Sequence, residues 1–146
     1  GPNGMAGGQM LDLVAEGQEL DIGSITRLQQ LKTGAQIEFA VEAACIMGRL
    51  PPEARTPYRG FDCDIGLASQ IADDLLDHAG DEAVAGKRLR KDAHAGKATF
   101  VSLLGEERAR QQCAFLIDQA VEHLDHHGEE ADLLRAVARY VQERDR

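Results

Sequence analysis

Apolar residues recur every three to four positions along most of the chain and strict alternation is nearly absent, which predicts an all-helical protein. A first helix is expected over about 8–15. Ser24 reads as the N-cap of a long helix carrying Leu28, Leu31, Ala35, Phe39, Ala43 and Ile46 on one stripe, closed by Gly48 and stopped by Pro51 and Pro52. Another helix is expected over about 59–79, with Gly80 as its C-terminal signal. The Gly- and Lys-rich segment as far as Lys97 reads as a loop, followed by a short helix near 100–104. Two amphipathic helices finish the chain, one with Ala109, Cys113, Leu116, Ala120 and Leu124, the other with Leu134, Val137, Ala138 and Val141.

The helix over 59–79 has two chemically opposite faces. At about 100° per residue, Gln70, Asp73, Asp74 and Asp77 fall within one arc, while Ile65, Ala68, Ala72, Leu75 and Leu76 lie opposite. Carboxylates this close repel each other and raise one another's pKa unless a cation or water intervenes. Hard oxygens without nearby His or Cys suit Mg²⁺, which keeps several waters and shares itself with a substrate phosphate. A solvated helix face is the alternative reading. The expected nearness of a helix C-terminus argues against that alternative, because the macrodipole there disfavours anions.

Directly after the acidic face, Lys87, Arg88, Arg90, Lys91 and Lys97 place five of the chain's 16 basic residues in one segment that also holds Gly86 and Gly96. Glycines let backbone amides approach an anion and lysines supply point charges for phosphate. A basic loop that merely neutralises the acids beside it is the alternative. The segment is not a P-loop: five residues separate Gly80 from Gly86, Arg follows Lys87, and no strand precedes it. A metal–diphosphate pair bridging the two clusters accounts for both together.

Composition narrows the classes. With 43% apolar and 28% charged residues the chain is globular, and with no Trp and 4% aromatics its core is aliphatic. A net charge of −9 argues against non-specific binding to nucleic acid or an anionic membrane. Cys45, Cys63 and Cys113 stand in no ligand spacing and read as reduced core residues of a cytoplasmic protein. No targeting or membrane-spanning segment is visible in the sequence.

Four segments carry a family resemblance: "GMAGGQMLDL" (4–13), "LQQLKTGAQIEFA" (28–40), "QIADDLLD" (70–77) and "GKRLRKDAHAGKATF" (86–100). Together they resemble the C-terminal half of the trans-type isoprenyl diphosphate synthases, the polyprenyl synthetase family that includes farnesyl and geranylgeranyl diphosphate synthases. "QIADDLLD" looks like that family's second aspartate-rich motif. The resemblance covers essentially the whole chain. It implies an antiparallel bundle of long helices around a deep cavity, of which residues 1–146 form the C-terminal part of a single prenyltransferase domain; the half with the first aspartate-rich motif is absent, and the chain alone is expected to be inactive.

The resemblance also implies a chemistry. Mg²⁺ helps an allylic diphosphate leave as pyrophosphate, and the allylic cation is attacked by isopentenyl diphosphate, with a short-chain product, farnesyl diphosphate, expected. Carried over by position, Asp73 is the principal metal ligand and acts in catalysis, with Asp74 and Asp77 completing the metal motif. Lys87 and Lys97 hold the allylic diphosphate, and Gln70 lines the site. Lys32 and Thr33 match the family's catalytic Lys-Thr pair, and Gly34 permits a kink that would free a backbone carbonyl toward the developing cation. Gln9 and Asp12 match family residues that bind substrate. A homodimer is implied as well.

Ser69, Gln36 and Arg90 depart from the family pattern, and Asp62 and Cys63 are unusual. Ser69 and Gln36 place polarity where an apolar wall is expected. A second class therefore stands beside the enzyme: a divergent or shortened homologue acting as a non-catalytic subunit or binding module. His123, His126 and His127 read as a solvated helix end beside Asp125, Glu129 and Glu130, and His94 as exposed. Ser24, Ser69 and Ser102 lie in no nucleophile-elbow context.

Overall fold

A helix of 30 residues, α4 (Thr56–Ala85), is the spine on which the other elements are laid. The computed structural model describes residues 1–15, 18–85 and 99–143, with the side chains of 81–85 excepted. Within these, α1 (Met5–Val14), α2 (Ile22–Gln29) and α3 (Ala35–Met47) precede α4, and α5 (Phe100–Leu104), α6 (Glu106–Glu122) and α7 (Asp132–Glu143) come after it. No strand occurs among the described residues, so the fold is all-α, as the periodicity predicts.

The core lies chiefly between α4 and α6. From α4 come Phe61, Ile65, Ala68, Ile71, Ala72 and Leu75; from α6 come Ala109, Cys113, Leu116, Ile117 and Ala120, all buried. Alanines at Ala68, Ala72, Ala109 and Ala120 leave room for the two helices to approach, and the Cys113 thiol reaches the Ala68 carbonyl at 3.6 Å. Burying a side chain such as Ile71 in this seam contributes roughly 2 kcal/mol. Leu124, Ala138 and Val141 extend the same core under α7, while Val137 remains 45% exposed.

Two expectations about helix limits need correction, and a third, the close of α3 at Gly48, is met with the left-handed residue one position later. The first concerns Ser24: it does not cap α2, because Asp21 does so by accepting the Ser24 N–H at 2.7 Å. The second concerns Gly80, which does not stop α4; the helix runs on to Ala85, since a glycine terminates a helix when it turns left-handed, and among the described residues the positive-φ glycine is Gly105. The third concerns the end of α3. Arg49, at φ 57°, takes the left-handed position expected of glycine, and Gly48 stays right-handed at φ −72°. The Leu50 N–H bonds the Cys45 carbonyl and the Arg49 N–H bonds the Ile46 carbonyl, both at 2.9 Å, which is the Schellman arrangement.

The stripe expected on α3 is also displaced. Phe39 is 75% exposed and Ile46 is exposed, while Cys45 is buried and Ile37 packs on the core. Between Ala35 and Met47 nearly every position is apolar, so periodicity alone does not choose a face. Of the cysteines, Cys45 and Cys113 are buried but Cys63 is exposed, against the reading of all three as core. No helix among the described residues is long and apolar enough to cross a membrane.

His123 and His127 are more engaged than a solvated helix end would be, while His126 is exposed as expected. His123 sits against α4 with Nε2 3.1 Å from Asp64 Oδ2, in space left open by Gly60, where a Cβ would come within 2.5 Å of the ring. Burial raises the Asp64 pKa and the neighbouring His123 opposes that rise. The His127 ring lies 5.1 Å from that of Tyr58. These two rings tie the end of α6 and the turn after it to the start of α4.

Candidate active site

Helices α2 and α3 are one rod interrupted by a π-turn at Gln30–Gly34, which contains Lys32 and Thr33. Such wider turns are uncommon and recur at functional sites. The local distortion expected near Gly34 exists, as a widened turn. Helix α1 lies against it. Gly8 makes this contact possible: a Cβ there would stand 2.4 Å from the Lys32 backbone nitrogen and 2.7 Å from the Leu31 carbonyl carbon. One turn further along α1, Asp12 is 5% exposed and accepts a hydrogen bond from Lys32 Nζ at 2.8 Å.

A cleft of about 540 Å³ opens beside this contact. Asp12 and Lys32 line it from one side; Gln70, Asp73, Asp74 and Asp77 line it from α4. Six of the residues singled out in the sequence thus share one cavity. Gln70 donates from Nε2 toward Asp73 Oδ2 at 3.4 Å, a long bond that nonetheless aligns the two side chains. Asp74 accepts the backbone N–H of Phe100 at 2.9 Å, so its carboxylate also anchors the start of α5. Thr99 caps that helix in a reciprocal pair with Ser102, and both line the cleft.

The remaining expected site residues fall elsewhere. Gln9 is exposed on α1 and does not line the cleft. Thr33 is half-buried on the π-turn without lining it, and Gln36 is exposed. Lys87, Arg90, His94 and Lys97 lie outside the described residues. The macrodipole bears less on the acidic face than its expected nearness to a helix end suggests, because α4 continues for eight residues past Asp77 and the effect fades within the last turn.

Several lining residues carry no sequence signal of their own. Gln29 and His78 belong to the wall, the first one turn before Lys32 and the second immediately after Asp77. The Gln29 carbonyl oxygen Oε1 is buried without a hydrogen-bond partner. Only their neighbours' motifs could have pointed to them.

The donors suit magnesium in a particular way. Among the described residues no three His, Cys, Asp or Glu side chains are gathered into a closed metal cage. Mg²⁺ does not need one, since it is held by one or two carboxylates, substrate phosphate and its own waters. Carboxylates facing open cavity space, with the unpartnered Gln29 oxygen able to accept from a metal-bound water, fit that mode.

Comparison with known proteins gives consistent results. A family model described as polyprenyl synthetase matches residues 3–140. The farnesyl diphosphate synthase of Escherichia coli K12 is 39% identical over 147 residues, which cover 98% of this chain and 49% of that protein. Among solved structures, an FPP/GFPP synthase from Zymomonas mobilis superposes with a TM-score of 0.84 at 50% identity, covering 97% of this chain and 46% of that one. The geranyltransferase of Helicobacter pylori, solved in complex with magnesium and isoprenyl diphosphate, gives a TM-score of 0.73 at 27% identity over 99% of this chain and 48% of that one. The chain spans about half the length of the curated relatives it matches.

Proposed function

Because the chain belongs to the polyprenyl synthetase family, we propose that it is the C-terminal part of a magnesium-dependent prenyltransferase, one that joins isopentenyl diphosphate to an allylic diphosphate. The expected product is a short-chain isoprenyl diphosphate, farnesyl diphosphate first. A homodimer in the cytoplasm belongs to the same reading, as does inactivity of residues 1–146 taken alone. The observation that supports it most is the meeting of Asp12, Lys32, Gln70, Asp73, Asp74 and Asp77 in one cleft.

In this reading Asp73 is the principal magnesium ligand, and Asp74 and Asp77 complete the motif directly or through water. Bound magnesium would supply charge neutralisation to a departing diphosphate, the large term in such a reaction. Lys32 presents its ammonium to the same diphosphate from the opposite wall. Gln70 keeps the Asp73 carboxylate turned into the cleft. The π-turn sets Lys32 and Thr33 off the regular helical path, and Thr33 with its backbone carbonyl serves the developing cation. Lys87 and Lys97 hold the allylic diphosphate. Leu20, Ile25, Leu28 and Val101 give the cleft an apolar side that limits water.

The test is an elongation assay on the full-length protein with labelled isopentenyl diphosphate, geranyl diphosphate and Mg²⁺. Labelled product that disappears on chelation supports the reading. Absence of both allylic-diphosphate binding and elongation would overturn it, and binding without elongation would favour the non-catalytic homologue instead.

A further inference from the structure

Two contacts from α1 converge on one residue of the cleft. The Gly8 backbone lies directly on the Lys32 backbone, and one turn later Asp12 Oδ2 receives the Lys32 ammonium at 2.8 Å. The two side chains differ in reach: that of Asp12 is 6% exposed and that of Lys32 is 29% exposed. Both residues line the cleft, with Asp12 the more enclosed of the two. A carboxylate in direct contact with a diphosphate would repel it, whereas a carboxylate bonded to an ammonium fixes the cation in place.

We infer that Asp12 is a positioning residue that acts through Lys32: it holds the ammonium at the diphosphate subsite and does not itself touch substrate or metal. This inference rests on the proposed prenyltransferase reading and revises the role that the family resemblance suggests for Asp12. Gly8 belongs to the same device, because it sets the distance from which Asp12 reaches.

A double-mutant cycle decides the matter. Binding of inorganic pyrophosphate with Mg²⁺ is measured by calorimetry on the full-length wild type, Asp12→Asn, Lys32→Met and the double variant. Asp12→Asn is expected to weaken binding about tenfold, as for the loss of one charge-assisted bond, and Lys32→Met to weaken it more. The double variant should bind like Lys32→Met alone. In steady state, Asp12→Asn should raise the KM for the allylic diphosphate and leave the KM for isopentenyl diphosphate unchanged, which a general loss of structure would not do.

If the Asp12 penalty persists undiminished on the Lys32→Met background, Asp12 touches ligand or metal itself and the inference is wrong. Thermal melts supply a second reading that needs no ligand. Lys32→Met takes the ammonium away from a buried carboxylate, so adding Asp12→Asn to it should raise Tm; a further fall in Tm would also count against the coupling. A wild type that binds no pyrophosphate overturns the prenyltransferase reading first, and this inference with it.

Discussion

Asp74 on α4 accepts the backbone N–H of Phe100, 26 residues away, at 2.9 Å. One carboxylate of the acidic face is therefore an anchor for the segment that resumes after the cationic stretch. Asp74→Ala should lower stability by about 1–2 kcal/mol, because it leaves a helix-start amide without its acceptor, and Asp74→Asn should lose far less. Urea unfolding of the two variants checks this; equal losses in both would show that the bond contributes nothing as an acceptor.

Asp73 has the opposite character. Its carboxylate lines the cleft and fills no place in the core. In the full-length protein Asp73→Ala should reduce elongation at least about a hundredfold while far-UV circular dichroism stays unchanged, as expected for a lost metal ligand. Wild-type turnover in that variant would remove Asp73 from the site.

The C-terminus of α3 offers a stabilising change. Arg49 holds φ 57° where a β-carbon is unfavourable, in a cap whose hydrogen bonds are already formed. Arg49→Gly should raise stability by about 1 kcal/mol, observed as a higher midpoint in urea with an unchanged slope. A lower midpoint would mean that the Arg49 side chain contributes more than its backbone costs.

Asp62 makes stability depend on pH. It is 4% exposed, with Oδ2 unpartnered, and burial joined by the charges of Glu38 and Glu42 pushes its pKa up to about 6, against the pull of Arg59. The native chain then holds a proton that the unfolded chain releases near its ordinary value of 3.8. This group's contribution is therefore greatest below that value and is lost as pH rises through about 6. Asp62→Asn should flatten the Tm profile between those two pH values and raise Tm at pH 7, with a gain in stability of about 1 kcal/mol or more. An unchanged slope would count against the assignment.

The legible parts of the sequence were those in which one helix face is unmistakably apolar. Ala109, Cys113, Leu116 and Ala120 of α6 are all buried as their spacing predicts, and so are Ile65, Ala68, Ala72 and Leu75 of α4, although Leu76, expected on the same face, is exposed. Helix α3 misled because apolar residues surround it, and Gly80 because a glycine can simply continue a helix. The acidic half of the cleft was readable from Gln70, Asp73, Asp74 and Asp77, which are near in sequence. The pairs Asp12–Lys32 and Asp64–His123, 20 and 59 residues apart, leave no local trace. Nor does Gln29, an ordinary polar helix residue until its oxygen is seen to be buried without a donor.

The π-turn at Gln30–Gly34 sets the angular phase of α3 relative to α2. On the α2 side, Ile25 and Leu28 point into the protein; on the α3 side, Ile37 and Cys45 do. Winding the same residues at ordinary α-helical pitch would swing one set relative to the other by about 100°. Either pair would then be turned to water, and the ammonium of Lys32 would be carried out of line with the aspartates of α4.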